Sequence, residues 1–208
     1  MQSVLDNSWF SAHLGDLLYH GGVLNSFEDL NSCQLRETLL SEYALCLFSH
    51  ESMWSIGVIY FDHCPTIGSA TLEALLPRLP CQSEFKLSKI LAIAEKRQLT
   101  SVSASVCRVT GRRALNNGRL GAAVAWAVRA QDSFLATQAA DAVLKTYLTD
   151  LDFSSTDLLD SLGAGLLVSE RLAFLGKYRE FHRLYNKNEF RPAAALLIAL
   201  ISSRIAPK

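Results

Sequence analysis

The sequence predicts an all-α protein, an irregular solenoid of stacked antiparallel helices, and three observations support this class. Apolar residues recur at intervals of three and four along nearly the whole chain, which is the spacing of one helix face. Short turns separate these periodic stretches, giving about ten to twelve helices of ordinary length. The only β-like run, residues 57–61, is short and lies inside a helical pattern, so we predict helix there as well.

The first four helices are predicted from apolar spacing and from the prolines that end them. In the segment SWFSAHLGDLLYH, large side chains such as Trp9 and Leu17 recur at helical spacing. The third helix is expected to end before Cys64, because a residue that precedes a proline is pushed out of the α conformation. The predicted ranges are 8–20, 35–48, 53–63 and 68–76.

The middle of the chain carries recognisable helix starts and stops. Ser83 is a suitable N-cap, while Lys96 and Arg97 suit the negative end of the dipole where the same helix ends. The Asn-Asn-Gly sequence at residues 116–118 is a signal of the kind that closes helices. The predicted ranges are 83–97, 101–115, 119–130 and 132–148.

The last part of the chain predicts shorter helices. Ser154 and Asp157 form a variant of the capping box, which opens a short helix that ends at Gly163. Gly176 is predicted to separate two further helices, and Pro192 fits the first turn of the last helix, which runs to about residue 203. The two helices on either side of Gly176 are predicted over 165–174 and 177–185.

No boundary divides the 208 residues. A chain of this length can form one domain or several repeat units. No long linker rich in glycine, serine or proline separates the helices, and neither the tetratricopeptide nor the ankyrin pattern is present. We therefore predict a single irregular α-helical solenoid segment over residues 1–208.

Charge, hydropathy and cysteine spacing argue against several classes of protein. Twenty basic and twenty acidic residues give a net charge of zero, so we expect no direct binding to nucleic acid. The best apolar run, residues 193–201, is far shorter than the roughly 20 residues of a membrane-spanning helix, so we predict a buried helix and no transmembrane segment. Five scattered cysteines without a C-x-x-C pair indicate a reducing, intracellular compartment.

Two groups of polar residues are candidate metal ligands, and both have a simpler interpretation. Asp62, His63 and Cys64 are consecutive, and neighbouring residues on a helix point in different directions, so the three cannot face one ion. His13 and His20 lie about two turns apart on one helix, and the sequence marks no further ligand for them. We predict no metal site.

Phosphate binding and catalysis are also not supported. Gly118 and Gly121 lie near a helix start, where a phosphate can bind, but no strand precedes them and the third glycine of the usual pattern is missing. A tight turn between two helices explains them better. Neither the Walker phosphate loop nor the Gly-x-Ser-x-Gly pattern occurs. We predict no catalytic residue, no cofactor and no small-molecule substrate.

A small basic group surrounds the same turn. Arg112, Arg113 and Arg119 are interpreted as solvated charge near a helix end, with a docking site for an acidic partner as the less favoured alternative. Trp9, Trp54 and Trp126 lie on apolar faces, and we predict that they pack between helix pairs, with an interface anchor as the alternative.

The segment FLGKYREFHRLY is rich in titratable and aromatic residues. On a helix its aromatic residues form one stripe, which we expect to pack against the helix at residues 190–201. No acidic partner lies at a catalytic spacing, so we predict a helix hairpin rather than an acid–base site. The residues of the stripe are Tyr178, Phe181, His182 and Tyr185.

Several segments resemble the nucleoporin eighty-five family, scaffold proteins of the outer ring of the nuclear pore. They are FLGKYREFHRLY at residues 174–185 with SSRIAPK at 202–208, LNNGRLGAAVAWAVRAQDSFLAT at 115–137, and MWSIGVIYFDHCP at 53–65. The similarity runs in order from Trp9 to Lys208.

This resemblance implies a solenoid of the ancestral coatomer element type, related to vesicle-coat scaffolds. It also implies membership of the Y-shaped outer-ring subcomplex at the nuclear envelope, with other nucleoporins as partners. The role would be structural, supporting pore assembly, mRNA export and nucleocytoplasmic protein transport. The family has no catalytic residues, so the resemblance assigns none here.

Family members are much longer, so we expect this chain to hold the later trunk and the start of the tail of a longer scaffold. Apolar helix faces should then be exposed, and binding to a β-propeller partner is not assured. A generic helical adaptor or vesicle-coat scaffold is the alternative. An all-α enzyme would require a deep pocket with convergent polar groups.

Overall fold

A computed structural model describes residues 7–24, 31–81, 83–150 and 162–203. Within these ranges the protein contains ten α-helices, two short 3₁₀ segments and no strand, which confirms the predicted all-α fold, including helix at residues 57–61. The helices are α1 (Ser8–His20), α2 (Ser32–Ser49), α3 (Trp54–Asp62), α4 (Gly68–Leu75), α5 (Glu84–Lys96), α6 (Thr100–Asn116), α7 (Leu120–Arg129), α8 (Ser133–Asp150), α9 (Glu170–Asn186) and α10 (Phe190–Ser202).

The chain packs as two compact units, Met1–Gln82 and Ser83–Lys208. In the first unit, each helix from α1 to α4 packs on the next in chain order. Side-chain caps begin the first two helices: the Asn7 carboxamide oxygen accepts from the Phe10 amide at 3.3 Å, and that of Asn31 accepts from Gln34 at 3.2 Å. A single solenoid segment over residues 1–208 stays a prediction.

The second unit is centred on small and aliphatic side chains from α6 to α9. Alanines allow the helices to approach closely, and leucines fill the space between them. Ion pairs also join helices two apart in the chain: Glu95 of α5 lies 2.7 Å from Arg129 of α7. The fully buried residues of this core include Ala123, Ala127, Leu135, Ala136, Ala139, Leu172 and Leu175.

Within the described residues of this unit, four helix–helix connections use the same three-residue turn. The middle residue has a positive φ, and the next amide donates to a carbonyl five residues earlier, as Arg119 does to Ala114 at 2.9 Å. This turn satisfies carbonyl groups that the helix end leaves without an intrahelical donor. The middle residues are Gln98 (φ 59°), Gly118 (φ 71°), Gln131 (φ 54°) and Asn188 (φ 61°).

The connection from α8 to α9 is different. Arg171 at the start of α9 lies 3.4 Å from Asp141, and His182, further along α9, lies 3.1 Å from Tyr147, further along α8. The contacts therefore advance in the same direction along both helices. The 3₁₀ segment Gly163–Val168 precedes α9 and contacts both α7 and α9.

The predicted break at Gly176 is wrong, because α9 runs without interruption through it. Ser169 begins this helix, with its hydroxyl accepting from the Leu172 amide at 3.1 Å. A Cβ atom at position 176 would lie 2.7 Å from a terminal methyl of Leu166, so glycine serves close packing rather than a helix stop. The proposed capping box at Ser154 and Asp157 lies outside the described residues.

Candidate interaction surfaces

His13 belongs to an aromatic cluster between α1, α2 and α3. Its Nδ1 lies 2.7 Å from the Trp9 carbonyl oxygen, which can only accept, so Nδ1 carries the proton. The Nε2 atom lies 3.1 Å from the Tyr60 hydroxyl, and the rings of His13, Tyr43 and Tyr60 pack edge to face. Burial raises the pKa of Tyr60. Both ring nitrogens of His13 therefore have partners within the fold.

A groove of about 490 Å³ lies beside this cluster, between α1 and α3. The Arg36 guanidinium on its floor bonds the Asp16 carboxylate at 2.6 Å and the His63 carbonyl oxygen at 3.1 Å. Because Asp16 balances Arg36, the groove holds no uncompensated charge at its floor. His20 bonds the backbone oxygen of Asp16 at 2.9 Å and reaches the rim.

The structure does not bring the candidate metal ligands together. Cys64 is buried, and burial raises the pKa of its thiol to about 11, whereas Asp62 and His63 are exposed. No group of three histidine, cysteine or carboxylate side chains in the described part of the chain is arranged to hold a metal ion.

Glu37 is a buried carboxylate that the sequence analysis missed. It is 1% exposed, lies on α2, and accepts from the Thr66 amide at 3.1 Å and from the Thr66 hydroxyl. Burial alone would raise the pKa of Glu37, but hydrogen bonds from Thr66, Ile67 and Cys33 outweigh it and lower the pKa. An apolar helical pattern gives no signal for such a contact, because Thr66 is 29 residues away.

The aromatic stripe of FLGKYREFHRLY lies on α9 and is shared between α8 and α10. Tyr147 of α8 packs edge to face against Tyr178 and bonds His182, whereas only Tyr185 reaches Phe190 of α10, at 5.7 Å between ring centroids. The predicted packing against α10 is therefore wrong for Tyr178 and His182 and confirmed for Tyr185. The reason is that Tyr178 and His182 continue the helix side on which Leu172 and Leu175 enter the core. Burial lowers the pKa of His182.

A second groove, of about 550 Å³, lies between the ends of α5 and α7 over the start of α6. Small side chains such as Ala94, Ala104 and Cys107 line it, and the Glu95–Arg129 ion pair stands at its edge. The groove is open rather than a deep pocket with convergent polar groups.

The Gly118 turn joins two helices directly, as predicted, and carries basic residues on its surface. A Cβ atom added at Gly118 would have no other atom within 4 Å, so close packing does not require glycine there. The positive φ of this residue is the reason that glycine is favoured. Arg112 and Arg113 are exposed at the end of α6, and Arg119 lies 3.8 Å from Glu84.

The three tryptophans differ in burial. Trp54 is 4% exposed and packs in the first unit, as predicted. Trp9 is 51% exposed, so its predicted packing between helices is wrong. Trp126 is half-buried, with the Arg129 guanidinium 5.7 Å from its ring centroid.

Two helices expose large apolar surfaces. The buried residues of α1 are the small Ala12 and Gly15, whereas its large apolar residues lie on the other side, and Leu17 is 71% exposed. On α10 only Ala193 and Leu200 are buried, which contradicts the predicted burial of residues 193–201. The exposed apolar side chains on these helices are Trp9, Phe10, Leu14, Leu17, Phe190, Leu197, Ile198 and Ile201.

None of the described helices combines the length and apolar content needed to cross a membrane. Apolar side chains exposed along one helix face are typical of surfaces that other protein segments cover.

Comparison with known proteins finds relatives along the whole chain. Residues 1–208 match the family described as Nup85 Nucleoporin. The chain is 47% identical over 204 residues to Nuclear pore complex protein Nup85 of Mus musculus and of Homo sapiens. It is 38% identical over 209 residues to Nuclear pore complex protein Nup75 of Drosophila melanogaster. These alignments cover 98–99% of this chain, which spans 31% of the length of each curated relative.

Proposed function

The chain belongs to the Nup85 nucleoporin family, and on this premise we propose that it is a structural scaffold component of the nuclear pore complex. The observation that carries the proposal is the family match over all 208 residues. The fold supports it, because helices stacked in chain order present long faces rather than a single deep site. The proposal places the protein at the nuclear envelope.

Within the pore, we assign the chain to the Y-shaped subcomplex of the outer ring, with other nucleoporins as its partners. Its contribution to pore assembly, mRNA export and nucleocytoplasmic protein transport would follow from holding these partners in place. The exposed apolar faces of α1 and α10 are suited to such contacts. The proposal includes no catalytic residue, no cofactor, no metal, no small-molecule substrate and no direct contact with nucleic acid.

Imaging and affinity purification test this function. The 208-residue chain carrying a fluorescent tag is expected to give a signal at the nuclear rim and to co-purify with outer-ring nucleoporins. A tagged chain that stays in cytoplasmic puncta and co-purifies with coat proteins would support the alternative, a helical adaptor or vesicle-coat scaffold. A diffuse signal without nucleoporin partners would contradict the scaffold function.

A further inference from the structure

The zero net charge of the chain results from two oppositely charged regions. Residues 1–82 contain nine acidic and two basic residues, a net charge of −7, whereas residues 83–208 contain eighteen basic and eleven acidic residues, a net charge of +7. The positive charge is concentrated in α5 to α7, because residues 83–131 contain nine basic and two acidic residues. Residues 132–208 contain nine of each sign and are neutral.

Most of the basic side chains in residues 83–131 reach solvent. The two acidic residues of this segment are each opposite an arginine, since Glu95 lies 2.7 Å from Arg129 and Glu84 lies 3.8 Å from Arg119. The Glu84–Arg119 pair is long and both side chains are largely exposed, so it neutralises little of the local field. The exposed basic residues are Lys89, Lys96, Arg108, Arg112, Arg113, Arg119 and Arg129.

The turn between α6 and α7 collects three of these arginines. Arg112 and Arg113 lie in the last turns of α6, and Arg119 is the last residue of the three-residue connection to α7. Val109, one turn before Arg112 and Arg113, is 52% exposed and places an aliphatic side chain, the apolar point of this surface, beside the arginines. We call Val109, Arg112, Arg113 and Arg119 the α6–α7 basic edge.

We propose that the α6–α7 basic edge docks an acidic segment of a partner protein. Carboxylates of that segment pair with Arg112 and Arg119, and an aliphatic side chain covers Val109. Complementary charge steers such a segment to the surface and fixes its register. This inference rests on the proposed function, because it names one surface through which a scaffold binds a partner.

Two observations favour an acidic protein segment over a nucleic acid. The apolar point of the edge is the aliphatic Val109, whereas single-stranded nucleic acid is held by aromatic side chains on which bases stack. Residues 1–82 carry a net charge of −7, so the chain as a whole has no excess of positive charge that would attract a long polyanion.

A binding assay with the 208-residue chain tests the surface. The probe is a fluorescein-labelled ten-residue peptide in which glutamates flank one leucine, and its glutamine counterpart is the neutral control. The variant Arg112→Glu/Arg119→Glu is compared with Lys177→Glu/Lys187→Glu, which makes the same change of charge at exposed lysines of α9 and its turn. We expect the first variant to weaken glutamate-peptide binding at least about tenfold and the second to weaken it less than about threefold.

Several results would overturn the inference: equal weakening by both variants, equal binding of the glutamine peptide, or tighter binding of oligouridylate than of the acidic peptide. If the double charge reversal unfolds α6, Arg112→Gln/Arg119→Gln replaces it, because this variant removes both positive charges without adding carboxylates. We expect it to weaken glutamate-peptide binding less than the reversal does. Imaging distinguishes failure of this inference from failure of the proposed function. If the wild-type chain reaches the nuclear rim but the charge variants bind the glutamate peptide as tightly as wild type, only the docking inference is contradicted.

Discussion

Glu37 shows at the scale of one residue how a buried charge holds two helices of the first unit together. Its carboxylate joins α2 to the turn before α4 through Thr66. Because the folded-state pKa of Glu37 is lowered, its contribution to stability is fully present above the ordinary carboxyl pKa. That contribution is lost as the pH falls through the ordinary value towards the lower folded one.

We therefore expect Glu37→Gln to lower the free energy of unfolding by about 1–3 kcal/mol at neutral pH, because the carboxamide offers fewer acceptors to Thr66. Urea unfolding between pH 3 and pH 7 measures the effect. The loss should shrink at the acidic end, where Glu37 itself becomes protonated. A loss that is the same at every pH would show that packing, not charge, is responsible. Glu42→Gln, on the same helix and exposed, is the control.

The left-handed turn residues differ in how clearly the local sequence indicates them. Gly118 follows two asparagines and gives a clear local signal, but Gln98 and Gln131 give none, because glutamine rarely adopts a positive φ. At Gln98 and Gln131 the positive φ is imposed by the packing of the flanking helices and not by a local sequence preference. The sequence therefore predicts the existence of each turn through the surrounding apolar periodicity, but not the strain inside it.

Gln131→Gly should relieve this strain. The left-handed conformation costs a non-glycine residue about 1–2 kcal/mol, and the extra freedom of glycine in the unfolded chain offsets about half of that. We expect Tm to rise by about 2–4 °C in calorimetry. Gly118→Gln reverses the exchange in an equivalent turn and should lower Tm by a similar amount. A fall in Tm for Gln131→Gly would show that its side chain stabilises the turn.

At the scale of the helices, glycines have different functions that the sequence alone does not separate. Gly176 looks like a helix stop locally, yet it lies inside α9 because Leu166, from another segment, packs over it. Gly57 lies inside α3, where a Cβ atom would come within 2.8 Å of the Ala44 backbone oxygen of α2. Both are packing positions, but only at Gly57 is the obstacle backbone.

This difference predicts unequal effects of one substitution. Gly57→Ala should lower the free energy of unfolding by about 1–3 kcal/mol, because α2 and α3 must move apart. Gly176→Ala should change it by less than about 1 kcal/mol, since a flexible methyl of Leu166 can turn aside and alanine favours helix. Chemical unfolding of both variants under one condition makes the comparison. Equal losses would contradict the close approach of α2 and α3.

At the scale of the whole molecule, the net charge and the total apolar content conceal how charged and apolar residues are distributed along the chain. The zero net charge led to the expectation of no direct binding to nucleic acid, although acidic residues predominate before residue 83 and basic residues after it. Apolar content likewise predicted a buried last helix, but α10 has a neighbour on one side only among the described residues. A helix that is apolar on all sides needs cover on more than one side.

The uncovered side of α10 should therefore make the isolated chain self-associate through apolar contact. Ile198 and Ile201 are 65% and 70% exposed, so Ile198→Gln/Ile201→Gln should reduce association strongly in sedimentation velocity while changing Tm little. Leu200→Gln, on the buried side of the same helix, should lower Tm instead. Raising the salt concentration should not disperse the wild-type chain, because apolar contacts are not screened. Dispersal by salt would assign the association to the oppositely charged regions rather than to α10.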